Sequence, residues 1–439
     1  MSNAKEIRDI SVGAWFDPLL SVVVIIGAYL AFYNTTLSNV HLVLLITFFT
    51  STYLFSSELT RARWKYSERP TQDLSDVLIR SLTKFLGVLV GIMAIFFAVW
   101  LFPEYQNAVR IGYIREAAFP LLSFIVPTSF LLILVTEYIL GEKKDGTYQF
   151  GLLVRLQIRE IDWKIFFDGA LEWLVRCIFL LINFFSVVSF ISKLRAGGIP
   201  DPAAGFVNFI MGIDTLLFTI LLLSILPGYI FASRLIGTEV KKVDHTWFGW
   251  LITLASYSPL SAGVSAGWTR YVPTPEASGI SDSLPIWAHL TSEYSFILYP
   301  IGTLIIAMAL FHLWAEALLG VRSANLSMRG IITIGPFRFT KHPVYVSKCL
   351  QWTCIYLPFL NAIGFLNSFR YGILFVLVCA IFVGRALAEE KLLAEDPDYV
   401  KYALFMDDKS IFAFVGRIFR LMTFRWRYEY WKKHGYLRQ

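Results

Sequence analysis

The sequence predicts an all-α, polytopic integral membrane protein with about ten transmembrane helices and both termini in the cytoplasm. Three observations carry this expectation. Of 439 residues, 56% are hydrophobic and only 16% are charged, against about 25% charged in a soluble domain. Mean hydropathy is +0.60, and several apolar runs approach the roughly 20 residues that a helix needs to cross a bilayer. The net charge of +7 is unevenly spread: basic residues collect in alternate loops, as membrane topology produces. That distribution argues against a nucleic-acid partner.

Taken in order, the expected spans are 16–34, 39–57, 83–102, 118–140, 170–192, 207–232, 246–263, 295–319, 343–361 and 368–388. The seventh is the weakest, being short and carrying Ser256, Ser258 and Pro259; it either crosses or re-enters. Arg61, Arg63, Lys65, Arg69 and Arg80 follow the second span, Lys143, Lys144, Arg155, Arg159 and Lys164 the fourth, Arg234, Lys241 and Lys242 the sixth, and Arg322, Arg329, Arg338 and Lys341 the eighth. Ten crossings put all four groups on one side, which the positive-inside rule makes cytoplasmic. Lys5, Arg8, Asp9 and Asp17-Pro18 precede the first apolar run, so no cleaved leader is expected. Cys177, Cys349, Cys354 and Cys379 lie in apolar runs without ligand spacing and read as packing residues.

Two segments read as interfacial. Residues 144–168 mix Tyr148, Phe150 and Leu152 with Arg155 and Arg159, and residues 410–432 mix Phe412, Phe414, Ile418 and Trp426 with Arg417, Arg420, Arg425 and Arg427. A basic amphipathic stretch lies in the headgroup plane, where anionic lipid headgroups strengthen the contact. Filling the surface around the bundle is the alternative role. The chain then divides into a six-span bundle of unassigned role (1–245), a membrane core (246–408) and a basic tail (409–439).

The densest chemistry lies near the C-terminus. Gly335-Pro336-Phe337-Arg338 leads into Lys341-His342-Pro343-x-Tyr345, and Arg385-x-x-x-Glu389-Glu390 follows an apolar hairpin. Polar groups are costly at membrane depth and mark function there. Pro343 suits a first helical turn, and a helix N-terminus flanked by Arg338, Lys341 and His342 suits a carboxylate or phosphate. Tyr345 shares a helix face with His342. Arg385 and Glu389 are spaced i,i+4 as a pair. Glu389 and Glu390 close a helix whose dipole opposes them, so they need cations; the basic cluster at 338–342 is the nearest candidate if the two spans form a hairpin, and Arg338 can pair with one acid, leaving the other for a ligand ammonium or ribose hydroxyls.

Segment 322–408 resembles the isoprenylcysteine carboxyl methyltransferase and phospholipid methyltransferase superfamily. Phe337, Lys341 and Ser347 stand where that pattern usually has Tyr, Arg and Gly. The resemblance implies a membrane methyltransferase that binds S-adenosylmethionine at the cytoplasmic face. It implies a cofactor site at Gly335, Arg338, Lys341, His342, Pro343, Tyr345, Glu389, Glu390 and Tyr399. The acceptor is then a membrane lipid or a prenylated, lipid-linked group, and the expected location is a bacterial inner membrane. The same segment also resembles membrane sterol reductases, which bind NADPH, but Val344 stands where those commonly carry Asn.

His312, Glu316 and Arg385 are the catalytic candidates. His312 and Glu316 are spaced i,i+4; they read either as a base and its partner at the reaction site or as a hydrogen-bonded pair between helices. Asp214 lies mid-span, where a lone acid is costly. It either pairs with a base such as Arg176, stays protonated, or lines a transport path; a lipid-binding or transport protein is the non-enzymatic alternative. Glu172 and Arg176 can satisfy each other. Loop 264–294, with Trp268, Tyr271 and Trp287, reads as an interfacial cap or an outer-leaflet ligand site. No Walker loop, dinucleotide fingerprint, zinc-binding His-Glu-x-x-His or nucleophile elbow occurs in a suitable place.

Overall fold

A computed structural model describes residues 6–7, 10–12, 14–62, 72–101, 108–197, 200–257, 295–356 and 365–437. The described elements are α1 (Asp17–Phe32), α2 (Asn39–Ala62), α3 (Leu74–Leu101), α4 (Ala108–Leu140), α5 (Gly146–Val154), α6 (Trp163–Gly197) and α7 (Phe206–Ile230). They continue with β1 (Lys242–Val243), α8 (Trp247–Leu254), α9 (Ser295–Leu319), β2 (Ser327–Met328), α10 (Pro343–Tyr356), α11 (Phe365–Leu393), α12 (Pro397–Lys409), α13 (Ala413–Ile418) and α14 (Phe424–Lys433). Helix covers every expected span in whole or in part. Among the described residues, seven helices are long and apolar enough to cross a membrane: α2, α3, α4, α6, α7, α9 and α11. Helix α1 is shorter. The seventh span begins as α8, whose Thr246 hydroxyl caps Gly249 N–H at 3.1 Å; its remainder from residue 258, loop 264–294 and the end of the ninth span lie outside the described residues.

The central core joins α1, α2, α6, α7 and α9 through Ile25, Val43, Ile46, Val188, Ile191, Leu222, Leu226 and Leu313. Helix α4 is peripheral, with none of its apolar window buried in protein; Phe119 and Leu131 face outward. A helix that is apolar all round and yet exposed is the pattern of a lipid-facing span. Helices α7 and α9 pack together across the 245/246 boundary.

Segment 144–168 is wedged into the bundle rather than laid on its surface. A Cβ on Gly151 would lie 1.8 Å from the Thr83 carbonyl oxygen, and one on Gly87 would lie 1.9 Å from that of Thr147. Gly146 and Gly169 abut in the same way between α5 and α6. These small residues let backbones approach as they do in membrane bundles. Phe150 and Leu152 are buried, while Leu156, Trp163 and Phe167 stay exposed.

The basic loops meet at one end of the bundle. Arg322 binds Glu58 with both guanidinium nitrogens, and Arg61 bridges Glu58 at 2.6 Å and Asp17 at 2.5 Å. Glu137 accepts Lys84 at 2.7 Å and has Arg80 and Arg234 at 3.5 and 3.9 Å. Lys143 and Arg234 share Glu239, and Lys242 reaches Glu395 at 2.5 Å. Strands β1 and β2 pair antiparallel, Val243 opposite Ser327. Arg329, just beyond β2, donates to the Gly228, Phe231 and Val321 carbonyls and so caps the end of α7. Burial, with help from Arg176, pulls the Arg329 guanidinium down to about 9. Ile7 packs with Tyr399, Tyr402, Phe424 and Trp431, and its carbonyl accepts from the Thr333 hydroxyl at 2.7 Å.

Gly151→Ala is expected to lower the thermal-unfolding midpoint in detergent, because overpacking against a backbone carbonyl costs about 1–3 kcal/mol. Gly112→Ala in α4, where a Cβ meets nothing within 4 Å, is expected to leave it unchanged. Equal midpoints for both variants would contradict the close crossing.

Candidate functional site

The C-terminal motif folds as a turn, a helix start and the end of a second helix. Gly335 opens the turn at φ 59°, and a Cβ there would sit 2.5 Å from Leu318; the position requires glycine on both counts. The turn is anchored from α12 by the Tyr402 hydroxyl, which donates to the Phe337 carbonyl at 2.6 Å. Pro343 is the first residue of α10 and needs no N–H partner there. Ser347, fully buried, donates back to Val344 at 3.0 Å, so serine in the glycine position satisfies itself.

Helix α11 delivers Glu389 and Glu390 to this turn, and the two acids part company. Glu390 is buried, and both of its oxygens are engaged. One meets His342 Nε2 at 3.1 Å and Lys341 Nζ at 3.1 Å; the other takes the Arg427 guanidinium. Lys341 also binds Asp407 at 2.9 Å, and Asp407 accepts the backbone N–H groups of Phe424 and Arg425 at 3.0 and 2.7 Å. Glu389 is exposed. Its carboxylate accepts the Tyr345 hydroxyl at 3.0 Å and lies 3.7 Å from His342 Nδ1. The His342 and Tyr345 rings stack at 5.7 Å and 18°.

Several expected pairings change. Lys341 and His342 of the expected basic cluster meet Glu390, joined by Arg427, whereas Arg338 is exposed and forms no ion pair among the described residues. Arg385 does not ion-pair with Glu389 although the spacing allows it. It turns inward instead, donating to Asn325 Oδ1 at 2.6 Å and lying over the rings of Tyr345 at 5.0 Å, Tyr257 at 5.4 Å and Phe382 at 5.8 Å. Asn325 in turn donates to the Tyr229 and Tyr257 hydroxyls at 2.8 and 3.1 Å. The guanidinium is thus held among aromatic faces and by the amide.

His312 and Glu316 do not pair. Glu316 accepts from the Ser323 hydroxyl at 3.3 Å, with Lys348 and Arg385 near enough to act on it electrostatically. His312 is buried and neighbours Lys348. Asp214 is bound by Gln351 of α10 at 2.6 Å rather than by Arg176, which pairs with Glu172 as its spacing suggests. Tyr399 is buried against Phe424 and Tyr402, and its hydroxyl has no hydrogen-bond partner among the described residues. Burial and then the Glu390 and Glu389 carboxylates push the Tyr399 and Tyr402 phenols up, so both stay neutral.

Reading the motif alone misses four residues of this site. Lys348 was legible, since it follows Tyr345 by three residues on the same helix face; it lies over Trp352 and Phe382. Asn325, Asp407 and Arg427 carry no local signal. No family model, curated protein or solved structure matches the chain.

Arg427→Gln is expected to cost about 3–5 kcal/mol, because it strands a buried carboxylate. Combined with Glu390→Gln it should cost less than the two single losses together, with a coupling of about 0.5–3 kcal/mol. A double-mutant cycle on thermal unfolding checks this, and strictly additive losses would refute the coupling.

Proposed function

We propose that the chain is a ten-span membrane methyltransferase that takes its methyl group from S-adenosylmethionine and passes it to an amphiphilic, lipid-borne acceptor at the cytoplasmic face. The observation that carries the reading is the division of labour at the end of α11. Glu390 is consumed by internal cations, while Glu389, one residue away, stays exposed beside the stacked His342 and Tyr345.

The residues present suit the cofactor's chemistry. Its amino-acid end carries an ammonium and a carboxylate; the exposed Glu389 matches the first and the unpaired Arg338 the second. The orphan Tyr399 hydroxyl and the free donors at the start of α10 offer further polar contacts. The Tyr345 and His342 rings offer aromatic faces for a base or a sulfonium. When bound, the cofactor supplies an electrophilic methyl group.

The protein's own work is then positioning and exclusion of water. Arg385 holds the Tyr345 ring from behind while anchored to Asn325. Glu316, with no cation in ion-pair contact among the described residues, and His312 are available to take a proton from an amine, hydroxyl or thiol acceptor. Asp214 is tied through Gln351 to the motif helix itself, which favours a supporting role in this site over a separate transport path. An acceptor entering sideways from the bilayer would reach α10 and α11 across their exposed Leu350, Val376 and Val383.

Calorimetric titration of the detergent-solubilised protein tests the reading. S-adenosylmethionine should bind and NADPH should not. Glu389→Gln should weaken binding at least about tenfold, since a hydrogen bond to a charged group contributes about 1.5–3 kcal/mol, without moving the unfolding midpoint. Glu390→Gln should lower that midpoint. Binding of NADPH alone would make the protein a reductase, and binding of neither would remove the enzymatic reading.

A further inference from the structure

The tail contains a concavity that the proposed reaction does not use. Its volume is about 460 Å³, and Arg417, Arg420, Thr423, Arg425, Trp426 and Glu429 are among the residues that line it. Arg425 is matched by Asp408 at 3.2 Å. The Arg417 and Arg420 side chains have no hydrogen-bond or ion-pair partner among the described residues, and Glu429 is the only other charge on the wall left without one. Two guanidinium groups thus stand over one unmatched carboxylate in a recess large enough for a polar headgroup.

Around this recess the surface is apolar. Ile411, Phe414, Ile418, Phe419, Leu421 and Met422 are all exposed, Ile418 at 68% and Leu421 at 61%. A contiguous exposed patch of this kind marks a contact surface. It continues onto the outer face of a membrane-crossing helix. The Ile411 N–H bonds the Phe339 carbonyl at 3.0 Å, the exposed Phe339 ring lies 6.4 Å from Phe311 of α9, and Leu310 and Trp314 of α9 are exposed beside it. What covers α9 therefore also covers 411–422, and for a bilayer-crossing helix that is lipid. Cationic guanidinium groups set among inserted apolar side chains then meet phosphate.

We propose that the 413–429 recess is a headgroup site for an anionic phospholipid, seated with its phosphate on Arg417 and Arg420 and its chains beside Phe414, Ile418 and Leu421. The site is joined to the motif through Asp407. That carboxylate holds the Phe424 and Arg425 N–H groups on the recess side and Lys341 on the other. Lipid seated there steadies the start of α14, from which Arg427 reaches Glu390. This inference needs only the membrane placement of the chain; it stands or falls separately from methyl transfer.

Native mass spectrometry of the full-length protein in detergent, titrated with phosphatidylglycerol or phosphatidylcholine, tests it. The wild type should retain phosphatidylglycerol preferentially. Arg417→Gln with Arg420→Gln should weaken that retention roughly 30-fold, about fivefold for each charge, and leave the unfolding midpoint unchanged. Lys432→Gln with Lys433→Gln, which removes two exposed charges outside the recess, should preserve the preference. Hydrogen exchange in nanodiscs should be slower at Phe424 and Arg425 with phosphatidylglycerol than with phosphatidylcholine. Equal retention of the two lipids, an unaffected Arg417/Arg420 variant, or an equal loss in the Lys432/Lys433 variant would overturn the site. Complete displacement of the lipid by millimolar inorganic phosphate would make it a free-anion site instead.

Discussion

A single buried carboxylate holds the C-terminal third together. Glu390 sits at the end of a helix whose own dipole repels it, and in a buried place where an uncompensated charge is prohibitive. It is tolerable only because three cationic or donor groups converge on it from three elements: Lys341 from the turn, His342 from the start of α10 and Arg427 from α14. Each partner is thereby fixed by the need of the acid. Lys341 carries the constraint onward to Asp407, and Asp407 to the first N–H groups of α14. The tail is accordingly built into the site rather than appended to it.

The same logic governs the other end of the chain. Membrane topology concentrates basic residues in loops on one side, and like charges crowded there would repel. Glu58, Glu137 and Glu239 each gather two or more of those bases from different loops. The basic loop residues thus clamp the helix ends. The clamps reach the site, because Arg322 holds the end of α9 to Glu58 of α2, and Lys242 holds the segment after α11 through Glu395. The N-terminal half, unassigned by its own motifs, is mechanically continuous with the C-terminal core.

The positions of the helices were legible in the sequence because hydropathy needs only local composition. So were the helix start at Pro343, which follows from a short-range rule, and the meeting of the basic cluster with the acid pair, which follows from reading the two apolar runs as a hairpin. What stayed hidden is the choice among partners of equal chemistry. Arg338, Lys341 and Arg427 are all bases that could serve Glu390; only packing shows that Lys341 and, 37 residues along the chain, Arg427 arrive while Arg338 does not. Spacing misled at Arg385, whose i,i+4 acid is at hand but whose aromatic and amide surroundings draw it inward, and at His312, whose i,i+4 acid turns to Ser323. Helical spacing permits a pair without requiring one. Asp214 meets the neutral Gln351, which satisfies a carboxyl in either protonation state.

These choices sort the polar residues by purpose. Groups whose partners all lie within the protein (Glu390, Lys341, Asp407 and Arg427) maintain shape, and changing them should cost stability first. Groups left partly open (Glu389, Tyr345, Arg338, Glu316 and the Tyr399 hydroxyl) hold hydrogen-bonding capacity in reserve around the mouth of α10 and α11. Among them the Tyr399 hydroxyl is buried without a partner among the described residues, which forfeits free energy, whereas Glu389 and Arg338 are exposed. On the proposed reading, the charges left open, one carboxylate and one guanidinium, are those that a ligand carrying both signs would use.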